Sequence, residues 1–241
     1  MMTPRQQKLL QAIIDEFIVT AEAVGSSHLK RKLRLNLSPA TIRNEMVDLV
    51  KMGYLEKPHS SSGRVPTVMG YKEFINHIMK ELEDLDIELE TVIKEDLFQN
   101  RFDIDDLIYK AINRIAKETE NLAFSIVGKR IYYSGLSCMI ECPEFSDSVM
   151  LKRVLHAVED QEVLLELLNK YNTIKDVRVL FGDDTGIDYF YDTALVYKLI
   201  KLHGNNSGFI GAIGPKRMNY THNIAVVDFI GESINNMLQT W

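Results

Sequence analysis

Cysteine is almost missing from this 241-residue chain. Cys138 and Cys142 are the two it has, too few for a disulfide framework or a four-ligand zinc set. No uncharged apolar run approaches the roughly 18 residues of a membrane span. The opening MMTPRQQKLLQAIIDEF carries an apolar helical stripe broken by Asp15 and Glu16, unlike a signal-peptide core. These absences point away from secretion and membrane insertion, toward a reducing cytoplasm. An excess of positive charge is missing too. With 28 Lys+Arg against 34 Asp+Glu, the net charge is -6 and the pI about 5.6, which argues against a generally basic coat for nucleic acid. What is there is the composition of a soluble globular protein, 46 % apolar and 26 % charged, long enough for one large domain or two ordinary ones.

The whole-chain charge conceals a division. Residues 1–72 hold 11 Lys+Arg and 6 Asp+Glu, a net of +5, whereas residues 73–241 hold 17 and 28, a net of -11. A cationic head on an anionic body predicts an anionic partner for the head alone. Within the head, Leu9, Leu10, Ile13, Ile14, Phe17 and Ile18 recur at helical spacing, so a helix opens near Pro4 and stops before Gly25. Ser26 or Ser27 then caps a shorter helix, whose Lys30, Arg31, Lys32 and Arg34 make a dense basic patch. Ser38 caps a third helix with Pro39 at its first position. Ile42, Met46, Leu49 and Val50 form its buried stripe, and Gly53 ends it. Two helices joined by about four residues, the second sharply started, spell a helix-turn-helix.

Opposite that stripe lie Ala40, Thr41, Asn44, Asp48 and Lys51, with Arg43 on the shoulder. These residue types suit a major groove: Asn pairs with adenine, Arg with guanine or phosphate, and Ala or Thr meets a thymine methyl. Next, YLEK and RVP flank PHSSSG, two short strands around a polar loop, with Pro66 placed where an edge strand needs no donor. His59, Ser60, Ser61, Gly63 and Arg64 would suit phosphate contact or a narrow minor groove.

On these residues the chain resembles a known family. SPATIRNEMVDLVKMGYLEKPHSSSGRVPTVMGYKEFI, Ser38 to Ile75, closely resembles the recognition helix and wing of the heat-inducible transcription repressor HrcA family. YYSGLSCMIECPEFSDSVMLKRVL from Tyr132 and GFIGAIGPKRMNYTHNIAVVDFI from Gly208 are similar to later blocks of that family, in the same order. The resemblance implies a cytoplasmic bacterial repressor that binds an inverted-repeat operator upstream of chaperone operons as a homodimer. It implies regulation by heat and by a GroEL-type chaperonin as partner. Carried over by position, the DNA-reading residues are Ser38, Thr41, Arg43 and Asn44 on the helix and His59, Ser60, Ser61 and Arg64 in the wing; Ala40 joins them as a DNA-binding candidate from the polar face of the helix. The wing departs mildly, PHSSSGR standing where the family usually reads PHTSAGR. Members typically run much longer, with a GAF-like sensor domain interrupted by a dimerisation segment. Here the helix Ile104–Thr119 passes almost directly to LAFSIVGKRIYYSG, leaving no room for that insert.

The expected fold is therefore α+β: a winged helix-turn-helix over residues 1–72, an acidic amphipathic linker helix over 73–100, and a reduced GAF-like α+β regulatory and dimerisation domain with an antiparallel sheet over 101–241. From Glu81 to Asp106 there are 11 Asp+Glu and 2 Lys+Arg. Ile75, Ile78, Leu82, Leu85, Leu89 and Val92 alternate three and four apart along it. That seam either pairs protomers in place of the missing insert or packs on its own domain. Further on, LAFSIV and RIYYS form strands around Gly128-Lys129, two helices occupy about 147–159 and 161–171, and VRVLF, ALVYKLIK and GFIGAIG form strands before a last helix from about Thr221.

Other motifs lead nowhere chemical. Asp184-Thr185-Gly186 spells the aspartic-protease tripeptide but occurs once, as an Asp/Gly turn would. Asp183, Asp184 and Asp188 lack the closing Glu of a Ca²⁺ loop. Cys138, Cys142 and His156 are too loosely placed for zinc, Gly208, Gly211 and Gly214 are no dinucleotide fingerprint, and Lys216 and Arg217 read as a surface turn better than as an anion site. No nucleophile, base and orienting group assemble, and no cofactor is expected. The reading is a repressor and not an enzyme; the alternative is a chaperone-interacting stress sensor or hetero-dimer partner without its own operator binding.

Overall fold

The computed structural model describes residues 2–33, 38–58, 63–78, 80, 85–145, 148–171, 176–202 and 207–239. The chain divides into two compact units, Met1–Leu82 and Glu83–Trp241.

In the first unit, helix α1 (Pro4–Thr20) starts in a reciprocal cap. The Thr3 hydroxyl accepts from the Gln6 N–H while the Gln6 side chain accepts from the Thr3 N–H, so two of the four orphan donors of the first turn are satisfied. Left-handed Ala21 ends it. Leu9, Leu10, Ile13 and Ile14 are buried, as their spacing predicts. Helix α2 (Ser26–Leu33) begins one residue earlier than a serine cap would place it. Ser26 is already helical and buried, and the Gly25 carbonyl accepts the Leu29 N–H at 3.1 Å. Helix α3 (Pro39–Lys51) is capped by Ser38, and Ile42, Met46 and Leu49 are buried beneath it. Strands β1 (Leu55–Glu56) and β2 (Val65–Pro66) pair antiparallel, Leu55 opposite Pro66. Helix α4 (Val68–Ile78) returns to α1 and buries Tyr71, Phe74 and Ile75.

The second unit is a five-stranded antiparallel sheet with helices on both faces. Its elements are α5 (Ile87–Gln99), α6 (Ile104–Thr119), β3 (Leu122–Val127), β4 (Arg130–Ser134), α7 (Leu136–Glu141), α8 (Ser148–Glu159), α9 (Gln161–Lys170), β5 (Arg178–Phe181), β6 (Thr193–Lys201), β7 (Ser207–Pro215) and α10 (Tyr220–Gln239). Sheet order is β4-β3-β7-β6-β5. Alternation sorts the faces. Leu122, Phe124, Ile126, Leu195, Tyr197, Phe209 and Ile213 meet Met139 of α7, Val154 and Val158 of α8, and Leu164, Leu167 and Leu168 of α9 in one core. The other face lies against α6 and α10, with α5 packed on both of those helices. Val127 stands opposite Arg130, so the β3–β4 turn has two residues, and its Gly128 has φ +58°, the left-handed value such turns require.

Residues 73–100 do not form one linking helix. Its first part, α4, belongs to the first unit, whereas α5 is a separate helix started by an Asp86 cap. The proposed seam breaks for the same reason. Ile75 is buried in the first unit, Ile93 and Leu97 point α5 into the second, and Val92 is left 43 % exposed. Leu82 lies outside the described residues. An amphipathic stripe too short for a sustained coiled coil has divided itself between two local cores.

Candidate nucleic-acid interface

The candidate surface is built on α3. The Ser38 hydroxyl accepts from the Thr41 N–H at 3.0 Å and lies 2.9 Å from the Thr41 hydroxyl. Both hydroxyls therefore fix the start of the helix, one by capping it and one by closing on the cap. From this start Ala40, Arg43 and Asn44 are exposed and Thr41 is half-buried, while Ile42, Met46 and Leu49 anchor the opposite side. Asp48 and Lys51, one turn further on, pair with each other at 3.3 Å. The helix thus presents donors and a guanidinium at its N-terminal end, over a face that cannot rotate without exposing its apolar stripe.

Two buried carboxylates hold this unit together, and neither is marked by a motif. Glu45, on the α3 face toward the core, pairs with Arg5 of α1. Glu16 of α1 takes the Lys32 ammonium and stands 2.9 Å from the His28 ring, both on α2. The hydrogen bond from Lys32 holds the Glu16 carboxyl below the usual carboxylate range, against the effect of burial. Of the basic patch, then, Lys30, Arg31 and Lys32 are all exposed, but the Lys32 ammonium is committed to the buried Glu16, and Arg34 lies outside the described residues. A signal for Glu16 is present in the sequence, since it sits one turn from Ile13 on the apolar side of α1.

Beside α3, the β1–β2 strand pair is joined to the α1–α2 connection by a contact that spacing could not reveal. Val24, between α1 and α2, exchanges both backbone hydrogen bonds with Arg64 at 2.9 Å. A Cβ on Gly63 would stand 2.5 Å from the Val24 carbonyl. Glycine is therefore required there for close approach of two backbones, not for a turn. The Arg64 guanidinium donates to the Gly63 carbonyl at 3.2 Å. His59, Ser60 and Ser61 lie outside the described residues. Of the nine expected site residues, Ser38, Ala40, Thr41, Arg43 and Asn44 share one end of one helix, and Arg64 immediately precedes β2.

The other candidate sites meet carboxylates or turns. Lys216 is 3.1 Å from Asp183 and 2.6 Å from Asp192, and Arg217 grips Glu144 through two nitrogens. Both cations of that turn have internal partners. Asp184 closes a single turn of 3₁₀ helix, Gly182–Asp184, between β5 and β6. Cys142 donates to Glu144 at 2.9 Å, and burial together with that bond pushes its thiol up to about 11. Among the described residues no group of three or more His, Cys, Asp or Glu is placed to hold a metal, and no helix is long and apolar enough to cross a membrane.

Residues 61–224 match the family model described as HrcA protein C terminal domain. The heat-inducible transcription repressor HrcA of Carboxydothermus hydrogenoformans is 25 % identical over an alignment covering 99 % of this chain and 98 % of that protein. The protein of the same name from Halalkalibacterium halodurans is 23 % identical over 99 % and 98 %. The first alignment runs over 340 positions against a chain of 241 residues, so about a hundred of those positions face gaps in this chain. The shortening foreseen from the α6-to-β3 passage is real, and it falls between two matched ends. A crystal structure described as that of a hypothetical protein at 2.2 Å resolution has a TM-score of 0.82 to this chain at 17 % identity, covering 100 % of this chain and 99 % of that one; it shares the fold. With two thirds of its length matched by one family model, the chain belongs to the HrcA family, whose curated members are heat-inducible transcription repressors.

Proposed function

We propose that residues 1–72 form a winged helix-turn-helix that reads an operator half-site, and that the protein is a cytoplasmic, dimeric repressor of heat-shock and chaperone genes. The observation that carries this reading is the N-terminal end of α3, where Ala40, Arg43 and Asn44 stand exposed above a rigid Ser38 cap. Arg43 and Asn44 are the base readers, with Ala40 and the Thr41 methyl against thymine. Arg64 and the wing serines hold phosphate, adding affinity that is blind to sequence and weakened by salt. The C-terminal unit, a reduced GAF-like domain, sets dimerisation and the response to stress, with a GroEL-type chaperonin as its regulatory partner. A dimer is needed because two heads related by a twofold axis match an inverted repeat, whereas one half-site contact is weak.

Mobility shift on the inverted repeat upstream of the organism's chaperone genes, against scrambled DNA at equal salt, tests the reading. Preference for the repeat is expected, and equal binding to both overturns it. Asn44→Ala should lower discrimination at one base by about 1–3 kcal/mol while leaving scrambled DNA bound as before. Arg64→Ala should weaken both duplexes alike and reduce the salt dependence by about one phosphate.

A further inference from the structure

The sheet of the second unit ends in two unlike edges. At one end β5 is four residues long and buries Leu180 and Phe181. At the other, β4 has no fully buried residue along Arg130–Ser134. Residues flanking a two-residue hairpin exchange both backbone bonds, so Arg130, Tyr132 and Ser134 bond to β3 and the N–H and C=O groups of Ile131 and Tyr133 point out of the sheet. Edges of this kind are normally blunted by Pro, by a bulge or by an outward charge. β4 contains no Pro or Gly, and its register with β3 is unbroken. Its one charge, Arg130, is held 2.5 Å from Asp105 of α6, which also accepts from the Tyr132 hydroxyl at 2.5 Å. On the opposite face, beside the same edge, Tyr133, Leu136 and Ile140 are 50 %, 38 % and 66 % exposed.

We propose that this edge docks β4 of a second copy of the chain, antiparallel about a twofold axis at Tyr132, joining two five-stranded sheets into one of ten. The occupant follows from the register. Ile131 of one copy falls opposite Tyr133 of the other, forming two apolar–aromatic cross-strand pairs. Tyr132 faces Tyr132, and Arg130 faces Ser134, so no like charges oppose. The outward groups of Ile131 and Tyr133 supply four backbone hydrogen bonds, each satisfied by the same residues of the other copy. That self-complementarity is what a twofold interface demands. A foreign strand could make the same backbone bonds, so it is the side-chain pairs and the absence of opposed like charges that point to a second copy. The exposed Tyr133, Leu136 and Ile140 extend the contact beyond the strands. The inference rests on the dimeric reading above, and its test uses no DNA, so the two can fail separately.

The experiment begins from the full chain with Cys138→Ser and Cys142→Ser, and adds Tyr132→Cys or Arg130→Cys. Residues paired at the axis without mutual backbone bonds have Cα atoms about 4.5 Å apart, inside the span a disulfide bridges. Mild oxidation should therefore link Tyr132→Cys into a dimer. Two Arg130→Cys sites would lie four residues apart along the strand, roughly 13 Å, and should not link. Tyr133→Pro removes an outward N–H at an edge position that tolerates proline. It should halve the sedimentation mass while circular dichroism and the melting temperature stay close to the parent's. A monomeric parent, equal cross-linking at both positions, or a folded Tyr133→Pro protein that is still a dimer overturns the proposal. If Tyr133→Pro unfolds, the two cysteine variants decide alone.

Discussion

The two units bury opposite charges. Among the described residues of the cationic head, the buried charged groups are Glu16 and Glu45, and in the anionic body the buried one is Lys198. In each case the buried group is of the scarcer sign and draws partners from the commoner one. Arg5, His28 and Lys32 close on the two glutamates, while Asp228 and Glu232 of α10 each lie 2.6 Å from the Lys198 ammonium. The lesson for function is that net charge overstates what a surface offers a ligand. Arg5 and Lys32, though exposed, are committed to buried glutamates, so the head's attraction for an anion rests more on residues such as Lys30, Arg31 and Arg43, which are exposed as well.

The comparison breaks most visibly at Lys198, which is 3 % exposed in the middle of β6. Burial pulls its pKa down, but hydrogen bonds to Asp228 and Glu232 outweigh this and raise it, so the ammonium stays charged. Asp228→Asn with Glu232→Gln leaves a buried cation without counter-charge. Because the carboxylates are themselves a third to a half exposed, the expected loss is about 2–3 kcal/mol, below the ~3–5 kcal/mol of a wholly buried pair. Lys198→Met, similar in volume, should stay within about 1.5 kcal/mol of the parent. Urea unfolding followed by circular dichroism reads both. If the two proteins prove equally stable, the contrast between the units is not one of buried charge.

Glu16 tests the head in the opposite sense. Glu16→Gln keeps the shape and removes the charge that Lys32 and His28 face, and should cost about 1.5–2 kcal/mol near neutral pH. Its folded pKa is depressed, chiefly by the Lys32 bond. The contribution is therefore complete above the unfolded carboxylate pKa and disappears as pH falls through the folded one. Parent and variant should converge in strongly acidic solution, as measured by urea midpoints along a pH series. A gap that persists there means the loss is one of packing rather than charge.

Ser38→Ala should cost about 1 kcal/mol, the usual worth of an N-cap, because it leaves the Thr41 N–H without its acceptor. Thermal unfolding gives the magnitude, and an unchanged midpoint would mean that Pro39 alone starts α3.

How far all this could be read from sequence follows the range of the interaction. The start of α1 near Pro4, the Ser38 cap of α3, the Gly128-Lys129 hairpin and the apolar stripes depend on neighbours a few residues apart, and spacing reveals them, whereas the equally local Asp86 cap falls inside the expected linker helix. α6 lies where its periodicity put it, Ile104–Thr119. The Val24–Arg64 bridge, the Arg5–Glu45 pair and the Lys198 cluster join residues 30 to 40 positions apart. Nothing local marks them. The linker helix failed for a related reason, since Ile75 to Val92 has a helical period but periodicity does not say which core each residue joins. At the candidate interface, the α3 face was legible because its polar residues are those left over from the stripe. The constraint on Gly63, by contrast, is set by a backbone 39 positions away.

Lys51 separates charge that holds the fold from charge that faces outward, and its expected effect is the smallest. It is 72 % exposed at the side chain and pairs with Asp48, itself about half exposed, at 3.3 Å. Such a pair is worth little, because water and salt screen it and two mobile side chains must be ordered to form it. Lys51→Ala should shift stability by less than about 0.5 kcal/mol, well below the change at Glu16, although both remove one charge from the same unit. It also stands three turns from Ala40 along α3, away from the end that carries Arg43 and Asn44. Preference for the inverted repeat over scrambled DNA should therefore be unchanged, whatever happens to overall affinity. If Lys51→Ala erases that preference, the proposed reading face of α3 must extend along its whole length, and the division between structural and outward charge must be redrawn there.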